Sequence, residues 1–161
     1  MKLKNKNAII TGGSRGIGGA ISKLFAEEGA NITFCHLNDD NNSNEMKNYI
    51  LSLGRKCLDL NIDISSRENC NLLVSKSIEQ VGSPDILVNN AGIIFARPFE
   101  EATEEEFDKT INVHLKSTFF ITQNCYKEML KKQSGKIINI SSQLVFSGGP
   151  NRTDYCAAKG G

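Results

Sequence analysis

A tyrosine and a lysine near the end of the sequence have the types and spacing of a proton-transferring pair. Tyr155 and Lys159 stand four residues apart in TDYCAAKGG (153–161), and residues at that spacing share one face of a helix. A free phenol has a pKa of about 10 and exchanges protons poorly at neutral pH. A neighbouring ammonium stabilises the phenolate and lowers that pKa. The pair is therefore typical of a site that moves a proton to or from a substrate oxygen.

Two further polar residues stand where such a site would need them. Ser142 follows the apolar run KIINIS (136–141), and Asn112 lies in the middle of a predicted helix. Each residue alone has a simpler explanation, as a strand-end serine, an asparagine bonded to backbone or a solvated lysine. A tyrosine followed four residues later by a basic residue also arises by chance. Their combination predicts a catalytic group of Asn112, Ser142, Tyr155 and Lys159.

Apolar runs and helical patterns alternate along the chain, and these elements must position that group. The apolar runs predict five strands, over 7–11, 31–36, 56–63, 85–90 and 136–141. Helices are predicted over 16–28, from the polar loop NDDNNSNE to Gly54, over 65–80 and 104–132, and from about Asp154. Such alternation predicts an α/β fold with a parallel sheet that helices cover on both faces.

Local patterns also predict where helices begin and which faces they bury. Ser65 with Glu68 and Thr103 with Glu106 are capping-box patterns at helix starts. Apolar residues at helical spacing predict the buried faces. The first helix would bury Ile17, Ile21, Leu24 and Phe25, and the long helix Phe107, Ile111, Leu115, Phe119, Thr122, Tyr126 and Met129.

A glycine-rich turn joins the first predicted strand to the first helix. In TGGSRGIGGAI (11–21) the residues Gly12, Gly16 and Gly18 follow the pattern G-x-x-x-G-x-G. Glycines permit a tight turn and close backbone approach, and the N-terminus of the following helix attracts a pyrophosphate. No lysine follows in the G-K-[ST] form, which argues against a nucleoside-triphosphate loop. The turn therefore predicts a dinucleotide site.

Composition excludes several other classes of function. The chain has 19 basic and 18 acidic residues and no long apolar run, so neither a nucleic-acid partner nor a membrane partner is predicted. Its five cysteines form no C-x-x-C pair, which argues against a metal site or a disulfide framework. Cysteines used in this way are typical of a reducing compartment, so a cytoplasmic location is predicted.

Taken together, TGGSRGIG, NNAG (89–92), Asn112, Ser142 and Tyr155-x-x-x-Lys159 strongly resemble the short-chain dehydrogenase/reductase family over the whole chain. The 3-oxoacyl-[acyl-carrier-protein] reductase type is the best match. The resemblance implies one NAD(P)-binding domain over 1–161, a Rossmann-like doubly wound parallel sheet of order 3-2-1-4-5. It implies that Tyr155 is the general acid and base, that Lys159 also holds the nicotinamide ribose and that Ser142 binds the substrate oxygen. Asn112 would anchor a water in a proton relay.

The resemblance also implies which residues bind the cofactor and which cofactor they prefer. The family's NAD-using members carry an acid near the end of the second strand, whereas this chain has His36 and Leu37 there. Arg15 can meet a 2′-phosphate instead, which favours NADP(H) over NAD(H). An Arg15 that is merely solvated would leave the preference open. The implied cofactor-binding residues are Gly12, Ser14, Arg15, Gly16, Ile17, Gly18, His36, Asp63, Ile64, Asn90, Tyr155 and Lys159.

Family members continue past the last helix with two more strands and a segment that covers the substrate, so the chain is expected to be a fragment that lacks them. The expected reaction is hydride transfer between NADP(H) and a carbonyl or secondary alcohol, as in 3-oxoacyl-[acyl-carrier-protein] reductases. Sugar, polyol or steroid substrates stay open, as does a remnant that at most binds dinucleotide. Lys131 and Lys132 could meet an acidic acyl carrier protein, although cations at a helix C-terminus explain them equally well. The family forms a homo-tetramer, but the missing part carries much of its usual interface, so this shortened chain is not expected to form it. With nothing after Gly161 to hold the last helix, weak binding and little turnover are expected.

Overall fold

Five parallel strands form the sheet, in the order β3-β2-β1-β4-β5, which confirms the predicted fold. The computed structural model describes residues 1–161. Its strands are β1 (Asn7–Thr11), β2 (Asn31–His36), β3 (Cys57–Asn61), β4 (Ile86–Asn89) and β5 (Lys136–Asn139). Chain order reverses between β1 and β4, and a reversal of this kind opens a crevice at the carboxyl ends of the strands.

Helices cover both faces of this sheet. They are α1 (Gly16–Glu27), α2 (Asp40–Ser52), α3 (Arg67–Gln80), α4 (Glu104–Ile111), α5 (Ser117–Lys132), α6 (Leu144–Ser147) and α7 (Thr153–Gly160). Successive residues of β1 point to opposite faces, so Ile9 joins a core with α3 and α5, while Ile10 joins a core with α1 and α2. None of these helices is both long and apolar enough to cross a membrane.

The predicted buried face of α1 is wrong in part. Ile17 and Leu24 are 65% and 55% exposed, whereas the small residues Gly18, Gly19, Ser22 and Ala26 are buried. The reason is how closely the helix lies to the glycine turn. A Cβ added to Gly18 would stand only 2.1 Å from the carbonyl oxygen of Gly12. Small side chains, rather than large apolar ones, therefore form the inner face of this helix.

The predicted long helix contains a π-helical turn at Asn112–Lys116 between α4 and α5. The Ser117 N–H donates to the carbonyl of Asn112, five residues earlier, so the turn holds one residue more than an α-helical turn. This extra residue displaces the periodicity, and most of the predicted buried face is wrong. Of the predicted face only Met129 is buried, while Phe107, Phe119 and Tyr126 are exposed. The other buried residues of this region are Thr110, Val113, His114, Ser117, Ile121 and Cys125.

One of the two predicted helix starts is confirmed and the other is shifted by one residue. The Thr103 hydroxyl accepts a hydrogen bond from the Glu106 N–H at 3.3 Å, as predicted. At α3 the cap is Ser66, which accepts from the Asn69 N–H at 3.4 Å. The Ser65 N–H instead donates to the carboxylate of Asp63 at 2.9 Å, which makes that residue part of the loop.

Candidate active site

A cleft of about 890 Å³ lies at the carboxyl ends of the strands. It is lined by the glycine turn, the ends of all five strands, the π-helical turn and α7. Two predicted site residues, Gly18 and Asn112, do not line it. The others do, namely Gly12, Ser14, Arg15, Gly16, Ile17, His36, Asp63, Ile64, Asn90, Ser142, Tyr155 and Lys159. The fold thus brings residues from both ends of the sequence to one cavity.

Hydrogen bonds with the residues that follow β4 hold the glycine turn in place. The Asn90 side-chain amide donates to the carbonyls of Thr11 (2.9 Å) and Gly12 (3.2 Å). In return, the Thr11 hydroxyl accepts from the backbone N–H groups of Asn90 and Ala91. Gly12 and Gly16 have φ of +64° and +58°, a region that favours glycine. Gly18 contributes by admitting this close contact rather than by facing the cleft.

The start of α1 fits an anionic group such as a pyrophosphate. No side chain caps this helix start, and its first turn carries no acidic residue. A Cβ added to Gly16 would meet no atom within 4 Å, so the backbone is open to the cleft at that point. The first N–H groups of the helix therefore lack side-chain partners and can donate to phosphate oxygens.

Opposite the turn, Asp63 and Ile64 follow β3 and face the cleft with a lysine that the sequence reasoning missed. Lys109 of α4 places its Nζ 2.9 Å from a carboxylate oxygen of Asp63. Burial raises the pKa of Asp63, but hydrogen bonds from the Ser65 N–H and Lys109 hold it below its ordinary value. Lys109 is 46 residues distant in sequence, so no local pattern marks this pair.

A second missed residue is Asp39, whose side chain lines the cleft beside the glycine turn. Its carboxylate accepts from the Ser14 hydroxyl at 2.6 Å and lies 3.3 Å from Nε of Arg15. The sequence reasoning considered only positions 36 and 37 for an acid after β2. Asp39 follows the last glycine of the turn by about 20 residues, the separation at which dinucleotide folds place a ribose-binding acid. That spacing was the available signal.

Ser142, Tyr155 and Lys159 all line the part of the cleft beside β5 and α7. The Lys159 Nζ donates to the carbonyl of Ile140 at 2.6 Å, and burial lowers the pKa of this lysine. The Ser142 hydroxyl oxygen accepts from the Leu144 N–H at 3.2 Å, while its own proton bonds to no group of the chain. That proton is free to donate to a ligand oxygen.

Asn112 is the first residue of the π-helical turn, and its carbonyl accepts the hydrogen bond from the Ser117 N–H that closes that turn. Its side chain makes no hydrogen bond and does not line the cleft. The neighbouring turn residue His114 does line it, although sequence reasoning did not single it out. The His114 ring packs edge-on against Tyr155, with ring centroids 5.2 Å apart, and its Nε2 lies 2.7 Å from the carbonyl oxygen of Ile93.

The last helix, α7, is held more firmly than the sequence suggests. Asp154, one residue before Tyr155, is buried and accepts from the Thr110 hydroxyl at 2.9 Å. Arg97 lies 3.4 Å from the same carboxylate oxygen and 2.7 Å from Glu106. The expectation that little holds this helix is therefore wrong, because Asp154 ties its first turn to α4 and to the loop after β4.

Comparison with known proteins agrees with this geometry. A model of the short chain dehydrogenase family matches residues 6–161. The chain belongs to that family. In this chain the glycine turn after β1 and the Tyr155–Lys159 pair line the same cleft, as the sequence resemblance predicted.

Three relatives illustrate the match. The 3-oxoacyl-[acyl-carrier-protein] reductase of Chlamydia muridarum is 38% identical over 159 residues, covering 99% of this chain and 64% of the relative. The reductase of that name from Thermotoga maritima is 35% identical over 161 residues, covering 100% and 65%. A blue fluorescent protein from a metagenomic library, solved in complex with NADPH, superposes with a TM-score of 0.91 at 32% identity, covering 99% and 65%. The chain thus spans less than two thirds of the length of these relatives.

Proposed function

We propose that this chain carries the cofactor-binding and proton-transferring residues of an NADP(H)-dependent oxidoreductase that interconverts a carbonyl and a secondary alcohol. The observation that carries the proposal is that Ser142, Tyr155 and Lys159 line the same cleft as the glycine turn. A hydride donor bound along that cleft would extend from the turn to the phenol. Residues 1–161 would act together as one NAD(P)-binding domain.

The residues of the cleft fit such a cofactor. The start of α1, with Gly12 and Gly16, would hold the pyrophosphate through backbone N–H groups. Asp63 and Ile64 would contact the adenine, Asn90 a ribose, and Lys159 the nicotinamide ribose. The remaining positions assigned to cofactor binding are Ser14, Arg15, Ile17, Gly18, His36 and Tyr155. When bound, the cofactor supplies the hydride.

Proton transfer falls to this chain's own residues. Tyr155 donates its phenolic proton to the carbonyl oxygen as negative charge develops there, and accepts it back in the reverse direction. The free Ser142 hydroxyl proton donates a hydrogen bond to the same oxygen and orients it. The Lys159 ammonium stabilises the phenolate that proton donation leaves behind. Asn112 would contribute through a water, since its side chain does not reach the cleft.

A tyrosine pair in the chain provides the test. Tyr155→Phe removes the proton, and carbonyl-dependent NADPH oxidation should fall by a factor of about 100 or more. The matched control is Tyr126→Phe, at an exposed position of α5, which should leave the rate unchanged. Retention of activity by the Tyr155 variant would contradict the assignment. Fluorescence titration with NADPH shows whether cofactor binding survives both substitutions.

For the substrate we propose a 3-oxoacyl thioester, because two of the relatives above are named 3-oxoacyl-[acyl-carrier-protein] reductases. An acyl carrier protein is then the partner. Lys131 and Lys132 already pair with Glu128 and Asp85, so an acidic carrier would have to compete with those carboxylates. Reduction of sugars or steroids, with none of 3-oxoacyl thioesters, would contradict this substrate.

For the cofactor we propose a preference for NADP(H). Its supports are Arg15 at the mouth of the cleft, the absence of an acid at positions 36 and 37, and the NADPH bound by a structural neighbour. Arg15→Ala should remove most of the difference in affinity between NADPH and NADH, worth about 1–3 kcal/mol for a charged hydrogen bond. Equal affinities in the unmodified chain would contradict this preference.

A further inference from the structure

A largely buried arginine, Arg97, connects the loop after β4 to the start of α7. Its Nη2 donates to Oδ2 of Asp154 at 3.4 Å, and its Nε lies 2.7 Å from Oε2 of Glu106 in α4. The Thr110 hydroxyl donates to the same Asp154 oxygen at 2.9 Å. The side chains of Arg97 and Asp154 are only 12% and 8% exposed. We call these four residues the Arg97 cluster.

The backbone of Arg97 forms a second connection to the same region. Its N–H donates to the carbonyl of Asn151 at 3.2 Å, two residues before α7 begins. Its Nη1 donates to the carbonyl of Phe95 at 3.4 Å, so the guanidinium also closes its own loop. Earlier in this loop Ile93 and Ile94 line the cleft, whereas Arg97 does not. From outside the cleft, the arginine therefore joins a cleft-lining loop to α7.

Stability alone does not explain a buried ion pair at this place. Taking two charges out of water carries a large desolvation cost, and their attraction offsets it only in part or narrowly. For this reason apolar side chains of similar size often stabilise a fold as well as a buried pair does. An ion pair adds direction, since hydrogen bonds require particular angles and apolar contacts do not. The Arg97–Asp154 pair is therefore suited to orienting α7.

The place of Asp154 in α7 makes this orientation important for the cleft. Successive helix residues point about 100° apart, so Asp154 meets the loop and α4 while Tyr155 faces the cleft. Lys159 stands four residues after Tyr155 and shares its face. Holding Asp154 therefore fixes the rotation of the helix about its axis. With side-chain ends about 5–6 Å from that axis, a rotation of about 10° moves them by about 1 Å.

We propose that Arg97 is a positioning residue, which through Asp154 sets the rotation of α7 and so the direction of the Tyr155 phenol. The inference rests on the proposed function and deepens it. A displacement of the phenol by about 1 Å can lower the rate of a proton transfer by about a hundredfold. Arg97 itself does not line the cleft, so cofactor binding should not depend on it.

The first test separates turnover from cofactor binding in the full chain. Arg97→Met keeps an unbranched side chain but removes its charge and its donors. The kcat of carbonyl-dependent NADPH oxidation should fall by about tenfold or more, while the Kd of NADPH, from nicotinamide fluorescence, should change by less than about twofold. Arg97→Lys keeps the charge without the planar fork that meets Asp154 and Glu106, and should restore kcat in part.

The matched control is Arg152→Met, in the residue next to α7. The Arg152 side chain caps no backbone N–H of that helix and does not line the cleft. Its substitution removes the same charge from the same segment. Both kcat and the Kd of NADPH should therefore stay within about twofold of the unmodified chain.

A double variant distinguishes orientation from the effect of an unpaired buried charge. Arg97→Met alone leaves Asp154 buried without its cation, which is destabilising by itself. Arg97→Met/Asp154→Leu removes both charges, and Thr110 has a second acceptor in the carbonyl of Glu106 at 2.8 Å. Thermal unfolding of the double variant should return close to that of the unmodified chain, while kcat stays low. Recovery of both would show that the pair only stabilises the fold, and would overturn the proposal.

A spectroscopic test needs neither cofactor nor turnover. The His114 ring packs edge-on against Tyr155, with centroids 5.2 Å apart, so the phenol ring current shifts the His114 signals in proton NMR. The chain has two histidines, and the other, His36, lies in β2. Tyr155→Ala gives the position of the His114 Cε1–H signal without the phenol ring. Arg97→Met should move that signal at least halfway to this position and leave the His36 signal in place.

The two readouts keep this inference separate from the proposed function. An unmoved His114 signal or an unchanged kcat in Arg97→Met would overturn the positioning role, as would an equal loss of turnover in Arg152→Met. If the chain reduced no carbonyl at all, the proposed function would fail. The NMR comparison would then still decide whether Arg97 orients Tyr155.

Discussion

The two ends of the cleft are built in different ways. The turn that would hold the adenosine half joins two elements of the buried core, and close packing sets its shape. A Cβ on Gly13 would lie 2.6 Å from Cβ of Phe34, and one on Gly18 would lie 2.1 Å from the Gly12 carbonyl. The end that contains Tyr155 and Lys159 rests on the exposed edge strand β5, the single turn α6 and the eight-residue α7.

A few hydrogen bonds and ion pairs, with two buried residues of α7, Asp154 and Ala158, hold that second end. Asp154 with Thr110 and Arg97 ties α7 to the rest of the fold, and Lys159 reaches the carbonyl of Ile140. Packing sets a geometry over many small contacts, whereas a few hydrogen bonds can be lost one at a time. The comparison teaches that the geometry of the glycine turn depends on packing, whereas the geometry of the end with Tyr155 and Lys159 depends on a few particular bonds.

The largest expected effect is at the packed end. Gly18→Ala forces a methyl group into a backbone carbonyl and should lower the free energy of unfolding by about 3 kcal/mol or more. Its control is Gly160→Ala in α7, where the new Cβ would lie 3.6 Å from Cγ1 of Val145, its nearest neighbour outside the helix. That variant should be neutral or slightly stabilising, since alanine favours helix. Denaturant unfolding of both variants measures the contrast, and equal losses would break it.

A smaller and more local effect is expected at the bonded end. Asp154→Ala removes the acceptor of Thr110 and one partner of Arg97, and should cost about 2 kcal/mol. Hydrogen exchange should then accelerate in residues 153–160 and stay slow in β1 and β2. Thr153→Ala, at an exposed position one residue earlier, should leave exchange unchanged. Uniform acceleration through the sheet would show that the two ends unfold together.

The smallest effect concerns pH and His114, which packs on Tyr155 between the two ends. Burial lowers the pKa of His114 below its ordinary value, although a hydrogen bond from its ring nitrogen to the Ile93 carbonyl raises it. The charge of Lys159 lowers the pKa further and that of Asp154 raises it. Between the lowered pKa and 6.5 the unfolded chain binds more protons, so stability falls as pH falls through that window. His114→Phe keeps an aromatic ring and should remove this pH-dependent loss of stability. Unfolding free energies at pH 5.5 and 7.5 measure it, and a difference between the two proteins that does not vary with pH would contradict it.

Sequence reasoning succeeded where a structural requirement is local. The strand order and the glycine turn follow from short apolar runs and from glycines next to a helix start. Tyr155 and Lys159 share one helix, so their spacing alone places them together. The strand ends that hold Ser142 and Asn90 were placed correctly for the same reason.

Sequence reasoning failed where a residue's contact partner is distant in sequence or where the helical period is interrupted. Lys109 reaches the cleft through a tertiary contact with Asp63, which no local pattern encodes. Asp39 was missed because only positions 36 and 37 were considered, although its distance from the glycine turn was a usable signal. The π-helical turn adds one residue to a helix, and a 3.6-residue period read across it assigns the wrong face. The inner face of α1 was predicted wrongly because this helix lies so close to the glycine turn that only small residues fit there. A search for large apolar residues at helical spacing does not find such a face.

The cysteines can report which part of the fold unfolds first. Burial raises the pKa of Cys35, Cys57 and Cys125 to about 12 and that of Cys70 to about 11, so in the folded chain these thiols stay protonated and unreactive. They lie in β2, β3, α5 and α3, whereas Cys156 lies half-buried in α7, next to Tyr155. The three buried thiols, those of Cys35, Cys70 and Cys125, become open to alkylation only when their own elements separate from the core. The order in which these three react therefore shows the order in which β2, α3 and α5 open, without any added label.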